Sequence, residues 1–330
     1  MITAILTILL FFILIIPHEF GHFIVAKLMG VQVNEFAVGM GPLLFTHQGK
    51  ETKYSIRAFP LGGYCAMEGE NEESDNERAF NNKSPIKKLA ILLAGAFMNI
   101  ITAVILITIM ITSIGIPTDK IGIVDKGSPA YEAGIRKNDK ISVVNSEKTD
   151  NWQDVAKAIE QLKPNEKAKI VIQRSGKERT LSVIPKQKKD RTVIGISPKM
   201  SHNIINTLPQ GIKATYRVNH ELLQGFWKLI KGGVSKDDIA GPVGIVKLVS
   251  SSNSISTFCW LAAIISLNLA LLNLLPFPAL DGGRILFVII RGITGKMISD
   301  KVEGIIHTIG MSILIMLFLV ITFNDIVKLF

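Results

Sequence analysis

The sequence predicts a polytopic α-helical membrane protein with about four transmembrane helices, a membrane-associated β-hairpin subdomain and an inserted mixed α/β domain. Three observations carry this fold class. Of 330 residues, 48% are hydrophobic, and the mean hydropathy of +0.36 is too apolar for an ordinary soluble chain of this length. The excess falls in four blocks, residues 1–26, 89–116, 257–275 and 304–323, each near the twenty or so residues that cross a roughly 30 Å hydrocarbon core. Between the second and third blocks lies a polar stretch long enough for one small domain.

The first block has no basic residue before Lys27, and its end carries His18-Glu19 rather than a small-residue cleavage site. It reads as a retained span and not as a cleaved signal peptide. Residues 31–70 then alternate in strand fashion. Residues 42–46 and 52–57 flank a Gln48-Gly49-Lys50 turn, with further breaks at Gly39-Met40-Gly41 and Gly62-Gly63. Residues 68–84 are acidic and polar, a loop before the second span. Residues 1–116 thus form an N-terminal membrane core.

Residues 117–200 read as the mixed α/β domain. Strands are expected over 120–124 and 140–144, with a helical turn after Gly127-Ser128-Pro129. A helix over 152–162 is N-capped by Asn151, and a hairpin is built from 168–173 and 179–184. Residues 201–256 form a connector. Within it, 211–230 is amphipathic, either an interfacial helix or a surface helix on the α/β domain, and 232–244 is glycine-rich. Residues 257–330 form the C-terminal membrane core.

The net charge is +10, spread rather than striped, which suits an anionic lipid surface better than nucleic acid. Lys27, Lys87 and Lys88 flank the first two spans, and the short loop expected from Arg284 to Lys301 is basic. The positive-inside rule then places both loops in the cytoplasm and the α/β domain outside it. Two cysteines, Cys65 and Cys259, are too few for a zinc cluster or a disulfide scaffold and read as free thiols.

The chemistry resides in His18-Glu19-Phe20-Gly21-His22. On a helix, positions i and i+4 share a face, so both imidazoles reach one ion, and the neighbouring Glu19 can take a proton from the attacking water. Charged groups at bilayer depth cost about 2.5–3.5 kcal/mol each on insertion scales, so three polar side chains in an apolar span need a compensating role. Catalytic zinc takes three protein ligands. Asp281, where two prolines break the third span and two glycines follow, is the candidate for the third. Its alternative is a cap on the next helix.

These residues resemble the site-2 protease family of intramembrane metalloproteases, in the bacterial branch that contains the regulator of sigma-E protease. The likeness rests on His18 to His22 and on Asn273-Leu274-Leu275-Pro276-Phe277-Pro278-Ala279-Leu280-Asp281-Gly282. Gly62-Gly63-Tyr64 and Ala94-Gly95-Ala96-Phe97-Met98-Asn99 add to it, the latter with Ala96 where proline is expected. The resemblance implies Zn2+ held by His18, His22 and Asp281, with Glu19 activating water. It gives Asn273 a catalytic role in stabilising the oxyanion or pinning the substrate, against the alternative that Asn273 merely satisfies backbone freed by Pro276. It implies cleavage of the transmembrane segments of single-pass membrane proteins, such as anti-sigma factors or remnant signal peptides, near the cytoplasmic side of a bacterial inner membrane. Gly39, Met40, Gly41, Gly62 and Gly63 become candidate substrate-binding residues, since a strand edge can pair with an unwound peptide. A purely structural hairpin is the alternative.

The α/β domain resembles a single PDZ domain through Gly127-Ser128-Pro129-Ala130, Ala133-Gly134-Ile135, Asn138-Asp139-Lys140-Ile141 and Val144-Asn145. Its peptide groove is expected between residues 122–124 and the helix from Trp152. A catalytically inactive PDZ receptor or scaffold on the same fold is the competing reading. A PDZ-bearing serine protease is disfavoured because no G-x-S-x-G or Ser-His-Asp framework is visible.

Overall fold

The computed structural model describes residues 2–70, 72, 74–188, 191–231, 241–252, 254–294 and 300–327. The chain divides into two compact units, one of residues 1–110 with 210–330 and one of residues 111–209.

The larger unit carries the apolar blocks. Helix α1 (Ile2–Leu28) runs through Pro17 and ends with Lys27 in its last turn, where a cation complements the helix dipole. Helix α2 (Pro85–Ile114) is the most enclosed of the long helices. Among the described residues four helices, α1, α2, α7 (Ile255–Asn273) and most of α9 (Asp300–Val327), are long and apolar enough to cross a membrane. Along α9 the apolar side chains Ile315, Leu317, Leu319 and Phe323 are each more than half exposed. In water that surface would be a liability; against lipid it costs nothing.

Between α1 and α2, strands β1 (Val33–Gln48) and β2 (Lys53–Met67) fold into one sheet. The glycines at 39 and 41 take φ of +86° and +81°, and that kink lets each strand double back. Residues 35–38 consequently lie beside both 53–56 and 63–66, while 43–48 returns along 53–57. The hairpin is therefore four pairing segments rather than two. The segment 63–67 is an outer edge with no further strand beside it among the described residues. Leu44, Phe45, Ile56 and Phe59 expose half or more of their surface, an apolar rim suited to lipid contact. Val33, Cys65 and Met67 pack inward with Ala26, Ile91 and Leu92.

Residues 281–294 differ from the sequence expectation. The basic loop expected to begin at Arg284 is instead a helix, α8 (Asp281–Thr294), whose Gly282, Gly283 and Val288 are buried. The apolar run from Ile285 to Ile290 gives it a face to bury, and Asp281 opens its first turn as a favourable anion. Residues 295–299 and 232–240 lie outside the described residues. Of the glycine-rich connection, Pro242–Ser250 forms helix α6, its first turn held by Asp325 of α9, which accepts from the Gly244 N–H at 2.8 Å. The amphipathic segment is part of helix α5 (Ile204–Ile230). Within the larger unit, α5 lies on α2 at Gly211, where an added methyl would strike Thr108.

The smaller unit contains β3 (Ile116–Val124), α3 (Pro129–Glu132), β4 (Lys140–Val144), β5 (Glu147–Lys148) and α4 (Trp152–Glu160). After these come β6 (Ala168–Arg174), β7 (Lys177–Val183), β8 (Lys186–Lys188), β9 (Arg191–Val193) and β10 (Ile196–Ser201). The main sheet has the order β10-β3-β4-β6-β7, with β5 beside β4. Asn151 caps α4 by accepting from the Asp154 N–H at 3.1 Å, as its sequence position predicts. Ile121, Ile141, Ile170, Ile172 and Ile194 form the core. Buried Asp139 takes both Nε and Nη2 of Arg174 at 2.7 Å, a bidentate pair that closes the sheet. The groove expected at 122–124 is displaced. Ile123 and Val124 pair with Ser197 and Ile196, so β10, not β3, ends the sheet.

Candidate metal centre

One turn of α1 separates His18 from His22, and their rings meet edge to face with centroids 4.8 Å apart. The two Nε2 atoms lie 3.2 Å apart, and Asp281 Oδ2 sits 3.3 Å from each. Metal bonds of about 2.0–2.1 Å in tetrahedral arrangement separate ligand atoms by about 3.3–3.4 Å. The three atoms thus form nearly one face of a zinc tetrahedron. Asp281 Oδ2 is buried and makes no hydrogen bond among the described residues despite its two imidazole neighbours. A buried carboxylate oxygen left so is costly. The three atoms point at a shared position rather than at one another's protons, as the donor set of a cation site does. Residues and geometry fit zinc, and no other described trio of His, Cys, Asp or Glu meets the same distance condition.

The surroundings orient the imidazoles. His22 Nδ1–H donates to Ile91 O at 2.9 Å, which leaves the Nε2 lone pair free to face the position shared with His18 and Asp281. His18 Nδ1 lies 3.4 Å from the Asn99 amide, whose Oδ1 is buried without a hydrogen-bond partner among the described residues. Turning that amide over lets Oδ1 accept Nδ1–H, the arrangement a metal-facing His18 Nε2 requires. Asn99 is fully buried, and its backbone carbonyl accepts from Ser266 Oγ of α7 at 2.8 Å, which ties three helices together.

Small residues let the helices approach. A methyl on Gly21 would meet the Ala94 carbonyl and come 2.8 Å from Met98 Cγ. One on Gly95 would strike His22 Nε2 and stand 2.6 Å from His18 Cε1. Close backbone approach through Gly and Ala is the usual device of membrane helix packing. Asp281 arrives from the other side. The residues 274–280 fold against the start of α8 so tightly that a methyl on Gly283 would lie 2.9 Å from the Phe277 carbonyl carbon.

The structure brings His18, Glu19, His22, Asn273 and Asp281 together. Asn273 Nδ2 is 3.3 Å from His18 Nε2. Glu19 lines the same cavity of about 490 Å³, as do Tyr64, Cys65 and Ala66 of the β2 edge. Gly63 belongs to that edge, its missing methyl 3.3 Å from Glu19 Cγ. Gly62, at φ +112°, and Met40 pack on each other, and a methyl on Gly62 would come 2.8 Å from Met40 Cε. Gly39, Met40 and Gly41 do not line the cavity. The first and third of them face Arg57 and Phe59. Sequence reasoning missed the orienting role of Asn99, the clearance at Gly95, and the Glu70–Arg284 ion pair at the cavity rim. The small-residue run Ala94-Gly95-Ala96 was the available signal for a close helix approach.

Comparison with known proteins agrees with this chemistry. The model of peptidase family M50 matches residues 6–317. A Clostridium acetobutylicum protein, assigned by inference as a zinc metalloprotease, is 38% identical over 98% of this chain and 97% of its own. The zinc metalloprotease RasP of Geobacillus kaustophilus is 30% identical over 98% of this chain and 97% of its own. RasP of Oceanobacillus iheyensis is 29% identical over the whole of both.

Proposed function

The chain belongs to peptidase family M50 and is a zinc metalloprotease, and from that premise we propose that it cuts transmembrane segments of single-pass membrane proteins inside the bilayer. The observation that carries this reading is the His18, His22 and Asp281 triangle, built between helices that are themselves long and apolar enough to span. Lys27 closes α1 on its basic side. His22 and His18 precede it by 27 − 22 = 5 and 27 − 18 = 9 residues, about 8–14 Å at 1.5 Å per residue. By the positive-inside rule that end is cytoplasmic, so cleavage falls in the cytoplasmic third of a substrate span.

His18 and His22 would hold the ion through Nε2 and Asp281 through Oδ2. Zinc, when bound there, acidifies a water and polarises a carbonyl. Glu19 takes the proton of the attacking water and passes it to the leaving amine. The Asn273 amide, within 3.3 Å of His18 Nε2, donates to the oxygen on which charge develops. A helical substrate must first unwind. The open edge at 63–67 borders the cavity and offers an extended peptide a strand to pair with; the Met40–Gly62 contact shapes the turn behind it.

The smaller unit is read as a single PDZ domain outside the cytoplasm. Its edge strand β10, following Gly195 at φ +80° and lying at the end of the sheet, is the strand to which a peptide terminus would add, with α4 as the facing wall. The substrate type, an anti-sigma factor or a remnant signal peptide, is carried by the family resemblance.

Trapping with Glu19→Gln tests the reading. The variant is expected to retain single-pass membrane proteins, and wild-type enzyme is expected to cut those proteins within their apolar segments. Cuts confined to soluble loops would overturn it.

A further inference from the structure

The segment that carries Asp281 is held from outside by the last helix. Ala279 adopts φ +78°, a left-handed conformation that a side chain with Cβ disfavours, and among the described non-glycine residues of the larger unit it alone does so. Such a residue persists only where its surroundings over-determine it. Pro276 and Pro278 have no N–H. Phe277 and Leu280 donate within the loop, to Leu275 O at 2.7 Å and Phe277 O at 3.2 Å. The Ala279 N–H points out of the loop and donates to His307 Nδ1 of α9 at 2.8 Å.

Three residues further along α9, Gly310 meets the same turn. A methyl there would lie 2.5 Å from Pro278 O and 2.6 Å from Pro278 Cβ. Two positions one turn apart on α9 therefore grip Pro278 and Ala279, immediately before Asp281. The imidazole is itself held. With Nδ1 accepting, Nε2 carries the proton; it makes no hydrogen bond among the described residues and lies 3.8 Å from Glu303 Oε1. Glu303 Oε2 takes Arg291 Nη2 of α8 at 2.6 Å, and the ring packs on Phe287 with centroids 5.7 Å apart. His307, Glu303 and Arg291 do not themselves line the cavity that holds His18 and His22; the cluster reaches it only through Ala279, which does.

We propose that His307 is a positioning residue, whose Nδ1 accepts the Ala279 N–H and so fixes the turn that presents Asp281 to zinc. The proposal rests on the reading of Asp281 as a zinc ligand. The chemistry demanded of residue 307 is an acceptor at the δ position. Asparagine supplies one, because its Oδ1 stands where His Nδ1 stands. Glutamine places its acceptor one bond further out, and leucine has none.

The test measures zinc affinity of the full-length protein in detergent by chelator competition, with cleavage rates and melting temperature alongside. Outer partners of metal ligands are worth about 10–100-fold in affinity. His307→Leu and His307→Gln are each expected to weaken zinc binding by about that factor, while His307→Asn stays within about 3-fold of wild type. Cleavage should fall in kcat with KM little changed, since the loss is in metal placement and not in substrate contact. Gly310→Ala should mimic His307→Leu by displacing Pro278. If Asn and Gln at 307 bind zinc equally, the acceptor plays no part and the proposal is overturned, even if His307→Leu fails to fold. Asp281→Asn is the control on the underlying reading. Zinc affinity unchanged in that variant overturns the ligand assignment and this proposal with it. Zinc lost in Asp281→Asn but kept in His307→Gln overturns this proposal alone.

Discussion

Replacing Gly95 by alanine tests the site through a residue that ligates nothing. The added methyl would strike His22 Nε2 and stand 2.6 Å from His18 Cε1 and 2.8 Å from His18 Nδ1. Comfortable contact between such atoms requires about 3.5 Å, so the rings or α2 must retreat by about 1 Å. The helices have little room to do so, because Gly21 already brings α1 against Ala94. Overpacking of this kind costs about 1–3 kcal/mol of stability. A misplacement of about 1 Å at a reacting centre costs about 10²-fold in rate. Disturbing the shell around a ligating histidine costs about 10–100-fold in metal affinity, or about 1.4–2.8 kcal/mol. Zinc affinity by chelator competition and cleavage of a membrane substrate should both fall by these factors. Gly292→Ala on α8 is the matched control, since a methyl there meets nothing within 4 Å. Wild-type zinc affinity and rate in Gly95→Ala would refute the packing argument outright.

Further outcomes follow from the same geometry. Glu19→Gln should lower cleavage by about 10²–10⁴-fold with zinc still bound by elemental analysis; full activity would remove Glu19 from the proton transfer. Asn273→Ala should lower kcat by about 10²–10³-fold at unchanged zinc content, whereas a mere backbone role would appear as lost stability with little loss of rate in the folded fraction. Glu51 is held below its ordinary carboxylate range chiefly by the Lys27 ammonium and then by Arg78. A lowered folded-state value stabilises above the unfolded value of about 4.3, and the gain is lost as pH falls through the folded value. The pair is partly exposed, so the gain is small. Melting curves from pH 6 to pH 3 should show a shallower acid loss in Glu51→Gln than in wild type, and parallel curves would exclude the pair as the cause.

How far the sequence carried the reading varied with the locality of the signal. Apolar runs and caps are local, so α1, α2, α7 and the Asn151-capped α4 were legible to within a few residues. His18 and His22 were legible because helical spacing alone puts them on one face, and Glu19 because the H-E-x-x-H pattern sets a carboxylate beside them. Asp281 needed the broken Pro-Pro-Gly-Gly context. α8 was obscured because Arg284 and Arg291 advertised a loop, while its buried side emerges only once Gly282 and Gly283 have something to pack on. The register of the hairpin was beyond reach, since Gly39 and Gly41 permit a reversal without specifying which segments then meet. The same holds for β10, whose edge position depends on a pairing across most of the smaller unit. His307 gave no signal at all, because its partner is a backbone N–H that becomes available only when Ala279 turns left-handed.

The candidate metal triangle joins residues far apart in the sequence: 281 − 22 = 259 positions separate the second histidine from the aspartate. At about 5–20 residues per second of synthesis, α1 waits roughly 13–52 s for its third ligand. Throughout that interval the growing polypeptide carries a proton acceptor and two imidazoles but no complete donor set. A chain cut short before residue 281 would carry His18, Glu19 and His22 without Asp281. If Asp281 is the third ligand, the donor set is complete only once the start of α8 has been made.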